Sequence, residues 1–236
     1  MRGMPKIVDH AQRRTEIVHA LWQVIYLRGI DAVSFRSVAD AAGISIGRVQ
    51  HYFPSRRELV LEGCRQIAAG AEAPEPGDGD ASTEAVDGDA GAEGDASAEA
   101  VGGDAGAEGD ASAEEGSAGY ERAMDRLREF FFAFIPAGEA MRIGASVWYT
   151  YVARAVMDRE IGEIIRAIDR GTLDLAARHC RRAAAGADDA DIRRWAMRMI
   201  AMAKGLAQEV MLDERSAASA RETLDEELAG FESWWR

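Results

Sequence analysis

The sequence predicts an all-α protein: an N-terminal head of three helices containing a helix-turn-helix, then a C-terminal helical bundle. Three observations carry this. Apolar residues recur at helical spacing along the chain on both sides of one tract. Sustained period-two alternation, the signal of strands, is absent. Pro is scarce, 5 in 236 residues, while Ser, Asp and Gly stand where helix ends need caps.

Ile17, Ala20, Leu21 and Val24 mark one face of a first helix, and Gly29 behind it suits a left-handed cap. Ser34 sits at the N-cap position of Phe35–Ala42, which Gly43 ends. Ser45 caps a third helix, Ile46–Tyr52, stopped by Pro54. Ser55-Arg56-Arg57-Glu58 has the form of a capping box for a fourth helix running into Leu59-Val60-Leu61. Two short helices joined by a tight turn through Gly43 make a helix-turn-helix. Val38, Ala39, Val49 and Phe53 are expected to face inward, which leaves Arg48, Gln50 and His51 outside. Arg bonds guanine bidentately and Gln does so with adenine. Gly47 lets backbone approach a groove, and Tyr52 and Arg56 at the helix end suit phosphates.

Next comes a tract unlike the rest. Residues 79–93 read GDASTEAVDGDAGAE, residues 94–108 read GDASAEAVGGDAGAE, and 109–115 begin a third copy. Residues 72–115 carry 15 acidic groups and no basic one. The net charge of −13 therefore becomes +2 without them, and residues 1–66 alone are +4. So the acidic total does not exclude nucleic acid as a partner. With Val86 and Val101 as its only large apolar residues, the tract has too little apolar area to offset a backbone ordering cost of ~1–2 kcal/mol per residue. Residues 71–117 are expected to be a disordered acidic insertion.

The expected division is 10–56 for the helix-turn-helix domain, 57–70 for a connecting helix, 71–117 for the insertion and 118–236 for the helical body. In the body, Tyr120, Met124, Leu127, Phe131 and Phe134 repeat helically, as do Met141, Ala145, Trp148 and Val152, and Ile161, Ile165 and Ile168. Pro136–Ala137–Gly138, Ala185–Gly186–Ala187 and Asp213–Glu214 are the expected breaks. Trp195, Met199, Met202 and Leu206, then Leu224, Leu228, Phe231 and Trp235, form two further stripes. These look too long for one small body to cover, so Trp195, Met199, Met202, Leu206, Leu224, Leu228 and Phe231 are expected at a homodimer interface of four-helix form.

No run of 18 apolar residues exists, and no apolar stretch precedes a small-residue cleavage site. Cys64 and Cys180 form no C-x-x-C and suit a reducing compartment. A cytoplasmic chain with no membrane partner is expected. Phosphate-loop, H-E-x-x-H and G-x-S-x-G motifs are missing, so no enzyme activity and no cofactor are expected. His179 and Cys180 point about 100° apart on a helix with no partner cluster, so no metal is expected either. Asp188, Asp189 and Asp191 read as a helix N-terminus, and Glu160 and Glu163 as a solvated face.

Two runs carry a family resemblance. Ser34-Phe35-Arg36-Ser37-Val38-Ala39-Asp40-Ala41-Ala42-Gly43-Ile44-Ser45 and Tyr52-Phe53-Pro54-Ser55-Arg56-Arg57-Glu58-Leu59 resemble the TetR family of bacterial transcriptional regulators over residues 10–65. That resemblance implies homodimers binding DNA with the third helix in the major groove. It implies Ser34, Tyr52 and Arg56 as phosphate contacts and Arg48, Gln50 and His51 as base readers, with Arg36, Ser45, Ile46 and Gly47 completing the surface. The family commonly has Thr, Leu and Tyr where this chain has Arg48, Val49 and Gln50. Ala203-Lys204-Gly205-Leu206 and Met211-Leu212-Asp213 are similar to a subclass whose last two helices pair with a second subunit. A regulatory body implies a small-molecule effector, with Met124, Phe131, Phe134, Trp148, Tyr149 and Val152 as candidate pocket residues.

The expectation is a ligand-responsive, sequence-specific DNA-binding regulator, a repressor of a palindromic double-stranded operator. An interaction protein whose acidic tract docks a basic partner stays open beside it.

Overall fold

The computed structural model describes residues 6–71, 108–184 and 186–234. Among these residues there are nine α-helices and no strand. The head comprises α1 (Lys6–Arg28), a 3-10 turn at Ile30–Ala32, α2 (Phe35–Ala42) and α3 (Ile46–Tyr52), and α4 (Arg56–Ala71) leads out of it. The body is α5 (Glu108–Phe132), α6 (Glu139–Ala155), α7 (Arg159–Ala183), α8 (Asp189–Met211) and α9 (Ala217–Ala229), closed by a 3-10 turn at Phe231–Trp234.

The caps fall where the side chains dictate. Ser34 Oγ accepts from the Ser37 amide at 3.0 Å, while Ser37 Oγ accepts from the Ser34 amide at 2.9 Å. Both orphan amides of α2 are thus satisfied reciprocally. Gly43 ends α2 at φ 64°, ψ 32°, a left-handed conformation that favours Gly. Ser45 and Ser55 each cap the next helix, accepting from the amides of Arg48 at 3.3 Å and Glu58 at 3.0 Å. Gly29 also has positive φ, 79°, but its ψ of 163° turns the chain into the 3-10 segment rather than into a left-handed helical cap.

Two apolar clusters form. One joins α1, α2, α3 and α4 to the inner faces of α6 and α7 through Leu21, Val49, Phe53, Leu59, Tyr151 and Ile161. The other lies inside the body, among α5, α7, α8 and α9, around Leu127, Phe131, Trp195 and Leu224. Head and body therefore share a core, and α4 is the element caught between them.

Three expectations change. The helix α5 begins at Glu108, within the tract expected to lack structure; the repeats up to residue 107 lie outside the described residues. Ala and Glu are strong helix formers, and once packing holds the half of α5 beyond Tyr120 the helix propagates backwards at little cost. Second, α9 stops at Ala229, so the stripe does not run on as helix; Phe231 belongs to the 3-10 turn and Trp235 lies outside the described residues. Third, the stripes of α8 and α9 are covered within the subunit. Trp195, Met199, Leu206, Leu224, Leu228 and Phe231 are all buried, and Met202 is packed against the same cluster. The Trp195 ring sits 4.3 Å from that of Phe231 and 5.9 Å from that of Phe131. Six of these residues are core within the subunit and Met202 packs half-buried against them: α5 and α7, each 25 residues long, supply the cover that the stripe lengths alone left uncounted.

Candidate nucleic-acid interface and its link to the body

The outer face of α3 is built by what its inner face must do. Val38, Ala39, Val49 and Phe53 are buried as expected. With Val49 and Phe53 pointing inward, Gly47, Arg48, Gln50 and His51 are left exposed on one side. Gly47 has open space beyond its Cα, so a ligand's backbone has access there. Ile46 is half-buried against the head core, and Ser45 is the cap. On α2, Arg36 is exposed and Ser34 is engaged with Ser37.

The end of α3 is fixed from α1. Arg14 Nη1 donates to the Tyr52 carbonyl at 3.1 Å, its guanidinium lies over the Phe53 ring at 4.6 Å, and Nη2 is 3.3 Å from Glu62 of α4. The Tyr52 ring rests against that of His10, 4.6 Å between centroids. Arg56, expected on a phosphate, has another task here. Its Nε donates to the Val33 carbonyl at 2.6 Å and its Nη2 to the Ile30 carbonyl at 2.7 Å. It thereby ties the start of α4 to the turn that leads into α2. Arg14 was not singled out from the sequence, because nothing local marks a residue whose partners lie on other helices.

Polar contacts join α4 to α1 on one side and to the body on the other. Tyr151 of α6 is fully buried and its hydroxyl donates to the Val60 carbonyl at 3.1 Å. Burial raises the phenol well above its usual range. Trp22 Nε1 of α1 donates to the Gly63 carbonyl at 3.3 Å. Between them Gly63 permits the close approach: a Cβ there would lie 2.6 Å from Leu21 Cδ2 and closer still to the Tyr151 hydroxyl. Beside this, Arg57 forms a fork onto Asp158 at 3.0 and 3.2 Å and onto Glu160 at 2.8 Å. The hydrogen bond from Arg57 holds the Asp158 carboxyl below its usual range, against the opposing effect of desolvation. Asp158 also caps α7, accepting from the amides of Glu160 and Ile161. Glu160, expected to be merely solvated, bridges Arg57 and Arg65.

The six candidate pocket residues are not brought together. Phe131 is buried in the body cluster with Met124 and Phe134 packed on it, whereas Trp148 and Val152 pack against the head cluster. The hydroxyl of half-buried Tyr149 is 3.5 Å from the Lys204 carbonyl. Of the cavities lined by described residues, an 80 Å³ crevice lies at the seam beside Arg56, Arg57 and Asp158. A 430 Å³ groove runs past Tyr26, Pro136, Arg142 and Arg215, and a 390 Å³ hollow lies among Arg57, Arg159, Glu160 and Glu163. None of these includes any of the six. Helical periodicity put them on inward faces, but inward here leads to two separate cores.

Among the described residues no helix is long and apolar enough to cross a membrane, and no group of three His, Cys, Asp or Glu could hold a metal ion. Desolvation pushes the thiols of Cys64 and Cys180 up to about 11 and about 12.

Comparisons with known proteins agree with this geometry. Residues 17–62 match the family described as bacterial regulatory proteins, tetR family, and residues 123–231 match that of the BetI-type transcriptional repressor, C-terminal. A curated relative, the HTH-type transcriptional regulator PksA of Bacillus subtilis, is 46% identical over 57 residues. That stretch is 24% of this chain and 28% of the relative, so the likeness covers only its head-sized part. Among solved structures, a putative transcriptional regulator from Saccharomonospora viridis in complex with choline superposes with a TM-score of 0.63 at 19% identity, over 92% of this chain and 95% of that one. A putative TetR-family regulator from Rhodococcus sp. gives 0.62 at 20% identity, over 96% and 100%. At these identities the structural likeness speaks to the fold.

Proposed function

This chain belongs to the TetR family of bacterial regulatory proteins, and on that premise we propose that it is a ligand-responsive, sequence-specific DNA-binding regulator that represses a palindromic operator. The observation that carries the reading is α3. It is short, capped and held by its buried Val49 and Phe53, and it offers exposed Arg48, Gln50 and His51 beside an open Gly47. That is the form of a helix laid in a major groove. A role as regulator rather than enzyme, and a place in the cytoplasm where the operator is, follow from the same premise.

Homodimerisation places two heads on two half-sites. With the apolar stripes of α8 and α9 turned into the subunit core, the support for an interface comes from the opposite face of α8. Met197 and Leu212 are 57% and 59% exposed there, and Ala201, Gly205 and Gln208 lie exposed between them at helical spacing. Small residues in that row let a second helix approach closely.

An effector acts by binding one arrangement of head and body better than the other. The seam at α4, where Tyr151, Trp22 and Arg57 hold the head to the body, is the element through which such a preference reaches α3.

The test is enrichment from a pool of random duplexes with the full-length protein. The expected product is a sequence with two inverted half-sites about one helical turn apart, or a small multiple of that. A pool that yields no preferred sequence contradicts the reading.

A further inference from the structure

Most arginines of the head and of α4 are matched within the subunit. Arg13 pairs with Glu16, Arg14 with Glu62, Arg65 with Glu58 and Glu62, and Arg57 with Asp158 and Glu160. Arg56 is bound to two backbone carbonyls. Arg36 on α2 and Arg48 on α3 stand apart. Both are exposed, and among the described residues no carboxylate pairs with either. The one acidic residue on α2 or α3 is Asp40, also exposed. The outer face of the helix-turn-helix is therefore a cationic surface without a matching anion among the described residues.

The same chain carries the complementary charge. Residues 72–107, outside the described residues, hold 11 acidic side chains and no basic one. They leave from the end of α4 at Ala71 and return at Glu108. With 16 residues α4 is about 24 Å long, and it starts at Arg56, just past the end of α3 at Tyr52. The 36 residues from 72 to 107 span at most roughly 120 Å, so a path out and back covers roughly 60 Å. That is more than α4 requires. Guanidinium forks bind carboxylates bidentately as they bind phosphates, so groups suited to DNA also suit this tract. Its two near-identical copies offer the same acids twice, so the contact needs no single register.

We propose that residues 72–107 occupy the outer face of α2 and α3 around Arg36 and Arg48 in the free protein, as an intramolecular competitor that DNA displaces. This rests on the DNA-binding reading above and adds a regulation of that face. Competition lowers the affinity for every duplex by the same factor, so weak, sequence-independent binding is suppressed first. The contact is Coulombic, and it fades as salt shortens the screening length from about 10 Å at 0.1 M to about 3 Å at 1 M.

The experiment compares the full-length protein with a variant of equal length in which each Asp and Glu of residues 72–107 is replaced by Asn or Gln. The Kd for a random-sequence duplex is measured from about 0.05 to about 0.5 M salt. The neutralised chain is expected to bind roughly tenfold or more tighter at low salt, and the gain is expected to vanish at high salt. A tenfold gain at an effective concentration on the order of 1 mM corresponds to a Kd of about 0.1 mM for the contact itself. A labelled peptide of residues 79–107 is thus expected to bind the neutralised chain at about that Kd in low salt and to be released by duplex. Adding Arg36→Gln and Arg48→Gln is expected to weaken the peptide several-fold. Equal affinity of the two chains for duplex at low salt overturns the contact and leaves the DNA-binding reading intact. A gain without peptide binding overturns it too, because long-range repulsion then accounts for the gain. So does peptide binding that duplex does not release or that ignores Arg36 and Arg48. Binding of duplex by neither chain overturns both readings.

Discussion

Arg48 and Arg56 flank the end of the same short helix and do different work. Arg48 is exposed on α3 with no protein partner needed for its position, whereas Arg56 is bound to the carbonyls of Ile30 and Val33. Replacing Arg48 by Ala is therefore expected to relax base preference at one position for about 1–3 kcal/mol and to leave the melting temperature alone. Equal weakening on all sequences would remove it from base reading. Arg56→Ala is expected to destabilise the head by about 1–2 kcal/mol through two lost hydrogen bonds, read as a fall in melting temperature. The salt slope of DNA binding should barely change. A slope reduced by ~0.9 would return Arg56 to the phosphates. The sequence told of Arg48 because burial of Val49 and Phe53 dictates which side of a seven-residue helix faces out. It did not foretell the intramolecular bonds of Arg56, because the acceptors are backbone carbonyls on another element, and these carry no side-chain signal. Cys64 and Cys180 are buried, and desolvation pushes their thiols up to about 11 and about 12, which disfavours the thiolate at neutral pH.

At the scale of elements, α4 is the one whose position matters most. It touches α1 in the head and α6 and α7 in the body, and Gly63 lets α1 and α6 approach. Tyr151 and Leu21 are fully buried and have little room to give, so Gly63→Ala must move a helix rather than a side-chain tip. We expect it to cost about 1–3 kcal/mol by thermal unfolding. An unchanged melting temperature would mean that the junction is loose. Asp158→Asn separates two roles, because Asn remains a good N-cap for α7 but cannot pair with Arg57. Its expected effect is a changed response of DNA binding to effector with helix content preserved. Because the Asp158 carboxyl is held low by Arg57, the link is complete at neutral pH and is lost only as pH falls below the usual carboxylate range. Helix ends were readable from single residues, as Ser34, Gly43, Ser45, Ser55 and Asp188 show. The α4 junction was not, since its partners lie far apart in sequence. The α6 periodicity also pointed to the wrong face: Trp148 and Val152 are half-buried, while Val147 and Tyr151 form the buried edge. A helix that is apolar on several sides has no single stripe to read.

For the molecule as a whole, the corrected stripes change which variant tests the dimer. Leu206 lies in the body core, so Leu206→Arg is expected to unfold the protein, not to separate two folded subunits. Gly205→Arg, on the exposed side of α8, is expected to yield folded monomers by mass measurement at micromolar concentration, with weakened operator binding. A dimer that survives Gly205→Arg would place the interface elsewhere. The acidic repeats up to residue 107 lie outside the described residues, and their composition sets the expectation for them. Loop closure grows only with the logarithm of length, so deleting residues 74–107 should leave the melting temperature equal or slightly higher. A loss of folding would show that the tract is part of the core.

Base reading by α3 is measured by the specificity ratio: affinity for the enriched palindrome divided by affinity for a scrambled duplex of equal length, at one stated salt concentration. For the wild type the ratio should reach at least about 10³. For the double variant Arg48→Ala, Gln50→Ala it should fall by one to several orders of magnitude while affinity for the scrambled duplex falls far less. A ratio near one for the wild type, or one that the double variant leaves untouched, would show that α3 does not read base sequence.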